Sequence, residues 1–370
     1  LAIPFFMLAG EIMNVGGMSR RIVDLAMALV GHLRGGLGYV TIIAACLMAA
    51  LSGSAVADTA ALTALLLPML TQAGHDKARA GGLIAAAGII APIIPPSIAF
   101  VIFGVATNTS IGKLFLAGIV PGLLMGASLA ATWWLVSRKE VNAQRPKASS
   151  AVRLAALREA VWALFLPVII VVGLKMGVFT PTEAAVVAAV YALFVGTIVY
   201  REMRLVQLVD VFVKSAKTTA MIMLLVAAAM VVGWLVAVAD LPGQIVDMIG
   251  PLMESPTLLL LAIMGLMILI GTAMDATPTT LILAPILMPV AKQAGIDPIY
   301  FGVLFVMNTT IGLITPPVGS VLNVVAGIGQ MKVDTVIRGV LPFLLAETAV
   351  MLLLVFVPEL VLTPLRWLTG

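Results

Sequence analysis

Asp58 and Asp275 each lie in a long apolar stretch beside a run of small and polar residues: SGSAVAD from Ser52 to Asp58, and GTAMDATPT from Gly271 to Thr279. A carboxylate in hydrocarbon is costly, so a paired or functional role is expected. A helix that breaks in such a place leaves free carbonyls with partial negative charge at one half-helix end. It leaves free amides with partial positive charge at the other. Those carbonyls, with the hydroxyls of Ser52, Ser54, Thr272 and Thr315, would suit a small hard cation such as Na⁺. The amide ends would suit an anionic substrate. Plainer roles stay open: small residues as close-packing points between helices, and the aspartates as caps of the half-helices that start there. Asn108, Asn308 and Thr309 are further polar candidates inside apolar segments.

The elements that must position these groups are membrane helices. Hydrophobic residues make up 62% of the 370-residue chain and charged residues 10%, and mean hydropathy is +1.18. A soluble fold this poor in charge could not cover its own surface. The expected class is an all-α polytopic membrane protein. Apolar stretches near 1–14, 37–70, 81–106, 113–137, 160–179, 182–200, 218–239, 256–291, 299–326 and 336–357 are candidate spans, about 20 residues sufficing for one crossing. The stretches 37–70 and 256–291 are too long for one span and are interrupted at the two tips, which predicts re-entrant hairpins. The stretches 81–106 and 299–326 carry IIPPSI and ITPPVG, which predicts broken helices. Stretches 18–34 and 201–217 are basic and amphipathic and are expected to lie at the cytoplasmic interface. The polar segment 137–159 holds Arg138, Lys139, Arg145, Lys147, Arg153 and Arg158 against Glu140 and Glu159, and is expected to be a cytoplasmic linker. The chain opens on an apolar stretch with no charged leader, so an earlier membrane helix is expected before it. One cysteine, Cys46, excludes an internal disulfide framework. His32 and His75, beside glycine at segment ends, are expected at the interface. No basic reading face for nucleic acid is present, and no zinc-protease motif or Ser/His/Asp constellation argues for an enzyme.

The chain repeats. Pro68, Gln72, Ala73, Gly74 and Asp76 fall on Pro289, Gln293, Ala294, Gly295 and Asp297, 221 residues further on. The same offset superposes Pro95-Pro96 on Pro316-Pro317, Gly118 on Gly339 and Pro121 on Pro342. Four extra residues before Pro289 would set Asp58 opposite Asp275. Arg20, Arg21 and Arg34 flank the first copy where Asp240, Asp247 and Glu254 flank the second. Basic flanks stay inside, so the copies are expected to be inverted, a recurrent plan of secondary transporters. Segments 71–80 and 137–159 are then cytoplasmic, and 292–297 periplasmic.

In their order, IPFFMLAGEIM, SRRIVDLA, GHLRGGLG, SGSAVADTAAL, IIAPIIPPSI, TPTEAAVVAAVYAL, MDATPTTLILAPILMPVAKQAGIDPIYFGV and NTTIGLITPPVG resemble the large membrane subunit of tripartite ATP-independent periplasmic (TRAP) transporters, over essentially all of the chain. The resemblance implies an elevator-type carrier in the bacterial inner membrane that imports an organic acid with Na⁺. Its expected cargo is a C4-dicarboxylate, a sialic acid or another sugar acid. Its expected partners are a small four-helix membrane subunit and a periplasmic substrate-binding protein. It implies scaffold at 1–36 and 160–255, a moving core at 37–137 and 256–357, a loop at 138–159 and a tail at 358–370. The implied Na⁺ neighbourhoods are Ser52, Gly53 and Ser54 with Gly88 and Pro92, and Gly271, Thr272 and Asp275 with Gly312 and Thr315. Ser54, Asp58, Ser97, Asn308, Thr309 and Thr315 are the implied substrate contacts. Where the family often carries small polar residues, this chain has Ala86, Ala87 and Gly88, shifting the load to backbone carbonyls. Two other readings remain: a stand-alone ion-coupled carboxylate carrier, and a membrane-embedded hydrolase using Ser54 and an aspartate.

Overall fold

The computed structural model describes residues 2–138, 146–248 and 250–369. Lys139, Glu140 and Arg145 of the basic segment lie outside these ranges, as does the side chain of Asp247. Among the described residues the secondary structure is helical, without a strand. The first half comprises α1 (Ala2–Val15), α2 (Met18–Val30), α3 (Gly36–Ser52), α4 (Ala55–Gln72), α5 (Lys77–Gly88), α6 (Ile98–Thr107) and α7 (Ile111–Ser137). Then follow α8 (Ser150–Lys175), α9 (Pro181–Phe194, continued by a π-helical turn Val195–Val199), α10 (Leu205–Val238), α11 (Leu241–Met248) and α12 (Gly250–Met253). The second half closes with α13 (Pro256–Gly271), α14 (Ala276–Gln293), α15 (Pro298–Gly312), α16 (Ser320–Gly329), α17 (Val333–Phe356) and α18 (Glu359–Thr369). The stretches Ala55–Gln72, Ile111–Ser137, Ser150–Lys175, Pro181–Val199, Val206–Val236 and Val333–Phe356 are long and apolar enough to cross a membrane. Large apolar side chains stand exposed on these helices, among them Leu224, Met230 and Leu345. Such surfaces need an apolar solvent.

The duplication is visible helix by helix. The 18-residue helices α4 and α14 align at an offset of 221 with no insertion. Asp76 and Asp297 cap α5 and α15, the first accepting from the Arg79 amide, the second from the Ile299 and Tyr300 amides. Both breaks contain a cis Pro–Pro bond, Pro95-Pro96 and Pro316-Pro317. The ungapped register corrects one expectation. Ser54 and Asp275 occupy equivalent N-cap positions, so Asp58 matches Thr279 and lies one helical turn beyond the position of Asp275.

The copies interlock. Helix α4 packs on α16 and α14 on α6, while α5 packs on α17 and α15 on α7. Gly82 and Gly339 bring α5 and α17 to backbone contact: a Cβ on Gly339 would overlap the Ala78 carbonyl. Phe103, Phe301 and Phe305 seal the junction of α6 and α15, with ring centroids 5.2–6.4 Å apart. Outside this core, α1 packs on α9 and α10, and α2 bridges α8 and α3.

Three further expectations are revised. The amphipathic stretch 201–217 and the span 218–239 form one 34-residue helix, α10, from Leu205. At about 1.5 Å per residue it runs roughly 50 Å, longer than the hydrocarbon alone requires. The linker after Ser137 is shorter than expected, because Ser149 caps α8 and places Arg153 and Arg158 on that helix. His75 is buried, its ring 5.1 Å from that of Trp133, so it is a packing residue at the end of α7.

Candidate functional site

A cavity of about 560 Å³ opens where the first turns of α4, α6 and α14 converge opposite α1 and α10. One wall carries Gly53, Ser54, Val56 and Ala57, with Pro92 and Ile98 behind them. A second carries Asp275, Ala276, Thr277 and Thr280. The facing wall is Met7 and Glu11 of α1 with Lys214, Thr218 and Met221 of α10. First-turn amides of a helix have no acceptor within the helix and carry partial positive charge. Two helix starts from the two copies, α4 and α14, therefore face one space.

Each tip meets the break of its own copy. Gly53, left-handed at φ 61°, turns the chain between α3 and α4. A Cβ there would overlap the Pro96 carbonyl and lie 3.1 Å from the Ile98 nitrogen. In the second copy a Cβ on Gly271 would lie 3.1 Å from the Gly312 Cα. The first approach has no room for a side chain, and at the second a Cβ would push its neighbour away by a few tenths of an ångström.

The other candidates separate into two groups. At the first tip, the Ser52 hydroxyl donates to Oδ1 of Asp58, whose side chain is 1% exposed. The Ser54 amide donates to Ser52 Oγ at 3.2 Å, and Ser54 Oγ accepts from the Ala57 amide at 3.4 Å, capping α4. Asp58 therefore does not cap the helix; it ties α3 to α4. Its Oδ2 is buried without a partner, as is the neighbouring Thr59 Oγ1. Gly88 is packed against Thr59, and Pro92 accepts the Ser97 hydroxyl, which also caps α6 at the Phe100 amide. Asp275 is exposed at the start of α14; its Oδ1 accepts from Ser320 Oγ at 3.2 Å, and its side chain makes no cap bond. The Thr272 and Thr315 hydroxyls donate to the carbonyls of Leu269 and Ile311.

Ser97, Asn308, Thr309 and Thr315 are not on the cavity wall. Asn308 is fully buried and its Nδ2 donates to the Met264 carbonyl of α13 at 2.9 Å, its Oδ1 remaining without a partner. Thr309 bonds back to Phe305 and Val306 within α15. Asn308 thereby ties α15 to α13, and Thr309 bonds within its own helix. Asn108 ends α6 in a left-handed conformation, away from this cavity.

Sequence reasoning passed over Glu11 and Lys214, which pair at 2.8 Å across α1 and α10 at the cavity edge. The available signal was an ionisable residue inside an apolar helix, masked when 201–217 was taken as an interfacial arm. Glu347 was also passed over: it is fully buried in α17 and accepts from Ser128 of α7 at 3.4 Å.

Residues 1–360 match the family described as "Tripartite ATP-independent periplasmic transporter, DctM component". The chain is 55% identical over 368 residues to the 2,3-diketo-L-gulonate TRAP transporter large permease protein YiaN of Escherichia coli K12, covering 100% of this chain and 87% of that one. It is 42% identical to the sialic acid TRAP transporter large permease protein SiaM of Vibrio cholerae, covering 98% and 85%. The fold is similar to the crystal structure of the Alcanivorax borkumensis YdaH transporter, with a TM-score of 0.70 at 15% identity, covering 100% of this chain and 86% of that one.

Proposed function

The chain belongs to the DctM family of TRAP transporter large permease proteins, and we propose that it couples the import of an organic acid to Na⁺ entry by an elevator motion in the bacterial inner membrane. It is a multi-pass membrane transporter subunit, not an enzyme. The observation that carries the finer reading is that each tip touches its own break, Gly53 at Pro96 and Gly271 at Gly312, around one cavity. In this reading α3–α4 and α13–α14 are re-entrant, and the inverted repeats carry the ion and substrate sites as one body.

The residues fit a cation. Asp58 Oδ2 beside the first tip and Asn308 Oδ1 on the second broken helix are buried oxygens without partners, and a buried oxygen needs a donor or an ion. Ser52, Gly53 and Ser54 with Gly88 and Pro92 would hold one Na⁺. Gly271, Thr272 and Asp275 with Gly312 and Thr315 would hold another. A hydroxyl that donates backward, as Thr272 and Thr315 do, keeps lone pairs for an ion. Bound Na⁺ would draw tip and break together and offset charge on an acid seated against Ser54 and the first turn of α14.

The proposed partners are a small membrane subunit beside the scaffold and a periplasmic binding protein that delivers the substrate. Relatives named for 2,3-diketo-L-gulonate and sialic acid support an organic acid as cargo. The test is uptake of radiolabelled 2,3-diketo-L-gulonate, and separately of sialic acid, into proteoliposomes holding the large and small subunits. Uptake is expected only with an inward Na⁺ gradient and the loaded binding protein. Uptake of the free acid without that protein would select the stand-alone carrier. Uptake indifferent to Na⁺ would overturn the coupling.

A further inference from the structure

We propose that Lys214 is a carboxylate-binding residue carried by the fixed frame, countered by Glu11 and engaged by the substrate only while the cavity faces the cytoplasm. The proposal rests on the elevator reading above. Lys214 Nζ lies 2.8 Å from Oε2 of Glu11, and both residues line the cavity. The two ends of the pair are presented differently: the Lys214 side chain is 68% exposed and that of Glu11 13%. The Glu11 side chain is largely covered while that of Lys214 is left accessible at the cavity.

Among the residues lining the cavity Lys214 is the only basic one. Across from it stand Ser54 and the first turns of α4 and α14, whose amide ends favour an anion. An acid held there would have partial positive charge on the core side and a full positive charge on the frame side. An ammonium has three donors in a compact head, so Lys214 can keep Glu11 and accept a second carboxylate. When the acid leaves, Glu11 again holds the charge alone. A brace between α1 and α10 would hold as well if buried between them; the exposure of a Lys214 side chain that lines the cavity is what a brace leaves unexplained.

The contact must also be one-sided. Ser54 and Asp275 travel with the core, whereas Lys214 stays on α10 with the frame. Lys214 follows Arg201 and Arg204 by only a few turns, which by the basic-inside reading sets it in the cytoplasmic half of α10. The acid meets it after the core has moved inward and loses it when the core returns. Lys214 therefore sets the affinity of the inner side without setting that of the outer.

The experiment uses the complete transporter in proteoliposomes of known orientation, with 2,3-diketo-L-gulonate as probe and sialic acid in its place if the wild type carries that acid instead. Half-saturation is measured on the cytoplasmic side by exchange and on the periplasmic side with the loaded binding protein. Lys214→Gln should raise the inner half-saturation about tenfold, some 1.4 kcal/mol, and leave the outer within about twofold. Glu11→Gln should lower the inner value, and Lys214→Arg should stay near the wild type. Opposite effects from the two partners of one ion pair are what a brace cannot give. If both neutral variants raise the inner value alike, or neither moves it, the proposal fails while the transport reading stands. If the wild type carries neither acid, a C4-dicarboxylate, which the expected cargo also includes, takes their place as probe, and the same outcomes decide. Should Lys214→Gln not fold, Glu11→Gln decides alone: a lowered inner value supports the proposal, and an unchanged or raised one overturns it.

Discussion

Asp58 shows how one buried carboxyl group can organise a turn. It lies in the first turn of α4, accepts the hydroxyl of Ser52 from the last position of α3, and so closes the chain across left-handed Gly53. Removing that hydroxyl leaves both carboxylate oxygens without a protein donor in a site that is 1% exposed. Leaving a buried polar group unpaired costs about 1–3 kcal/mol. Ser52→Ala is therefore expected to lower the thermal midpoint in detergent and to raise the Na⁺ concentration that restores it. Asp58→Ala should remove the same interaction by taking away the acceptor. The double variant should then cost less than the two single losses added together, because the residues share one bond. Strict additivity would show that the two side chains act independently. That Asp58 mattered was legible in the sequence, since an aspartate in an apolar run is conspicuous. Its partner and its offset from Asp275 were not, because matching two aspartates by type concealed the ungapped register of the helices around them.

At the scale of the helices, the glycines decide how closely the copies interlock. Helices α5 and α17 approach at Gly82 and Gly339 until there is no room for a methyl group, and Gly339 faces the Ala78 backbone rather than a movable side chain. Gly339→Ala must push two helices apart, a penalty of the overpacking kind, typically about 1–3 kcal/mol or more. Gly265 within α13 has no neighbour within 4 Å of an added Cβ, and Gly265→Ala should be neutral or stabilising by up to about 1 kcal/mol through helix propensity. Thermal unfolding of the two variants should separate them sharply. Equal midpoints would mean that α5 and α17 are free to part. The helix interruptions, the proline breaks and the repeat could be read from the chain because Gly, Pro and small polar residues punctuate apolar runs. The interlock of α4 with α16 and α14 with α6 could not, since nothing in a hydrophobic stretch names the stretch it will touch. The boundary inside α10 was misplaced because a change from basic to apolar character alters solvent, not backbone conformation.

For the whole molecule, the proposed elevator motion raises the question of which contact would slide. Helix α10 meets the core along α14 and α6, and this junction leaves an open pocket of about 290 Å³ lined by apolar residues including Met230, Leu281 and Pro285. No polar side chain lines it, and an interface without directional bonds has little to hold it in one register. By contrast, the tips approach their own breaks backbone to backbone at Gly53 and Gly271, so a motion that preserved the proposed ion sites would shift α10 against α14. A Cβ on Gly233 would lie 3.9 Å from the Pro285 Cβ, within the Cβ separations of about 3.5–4.5 Å that a disulfide accepts. With Cys46, the single native thiol, replaced by alanine, Gly233→Cys combined with Pro285→Cys should form a cross-link on oxidation. The oxidised transporter is expected to lose uptake while still binding Na⁺, and reduction should restore it. The reduced protein serves as its own control for damage done by the substitutions. Full uptake through the oxidised form would show that α10 and α14 move together, and the moving part would have to be sought at the tips themselves.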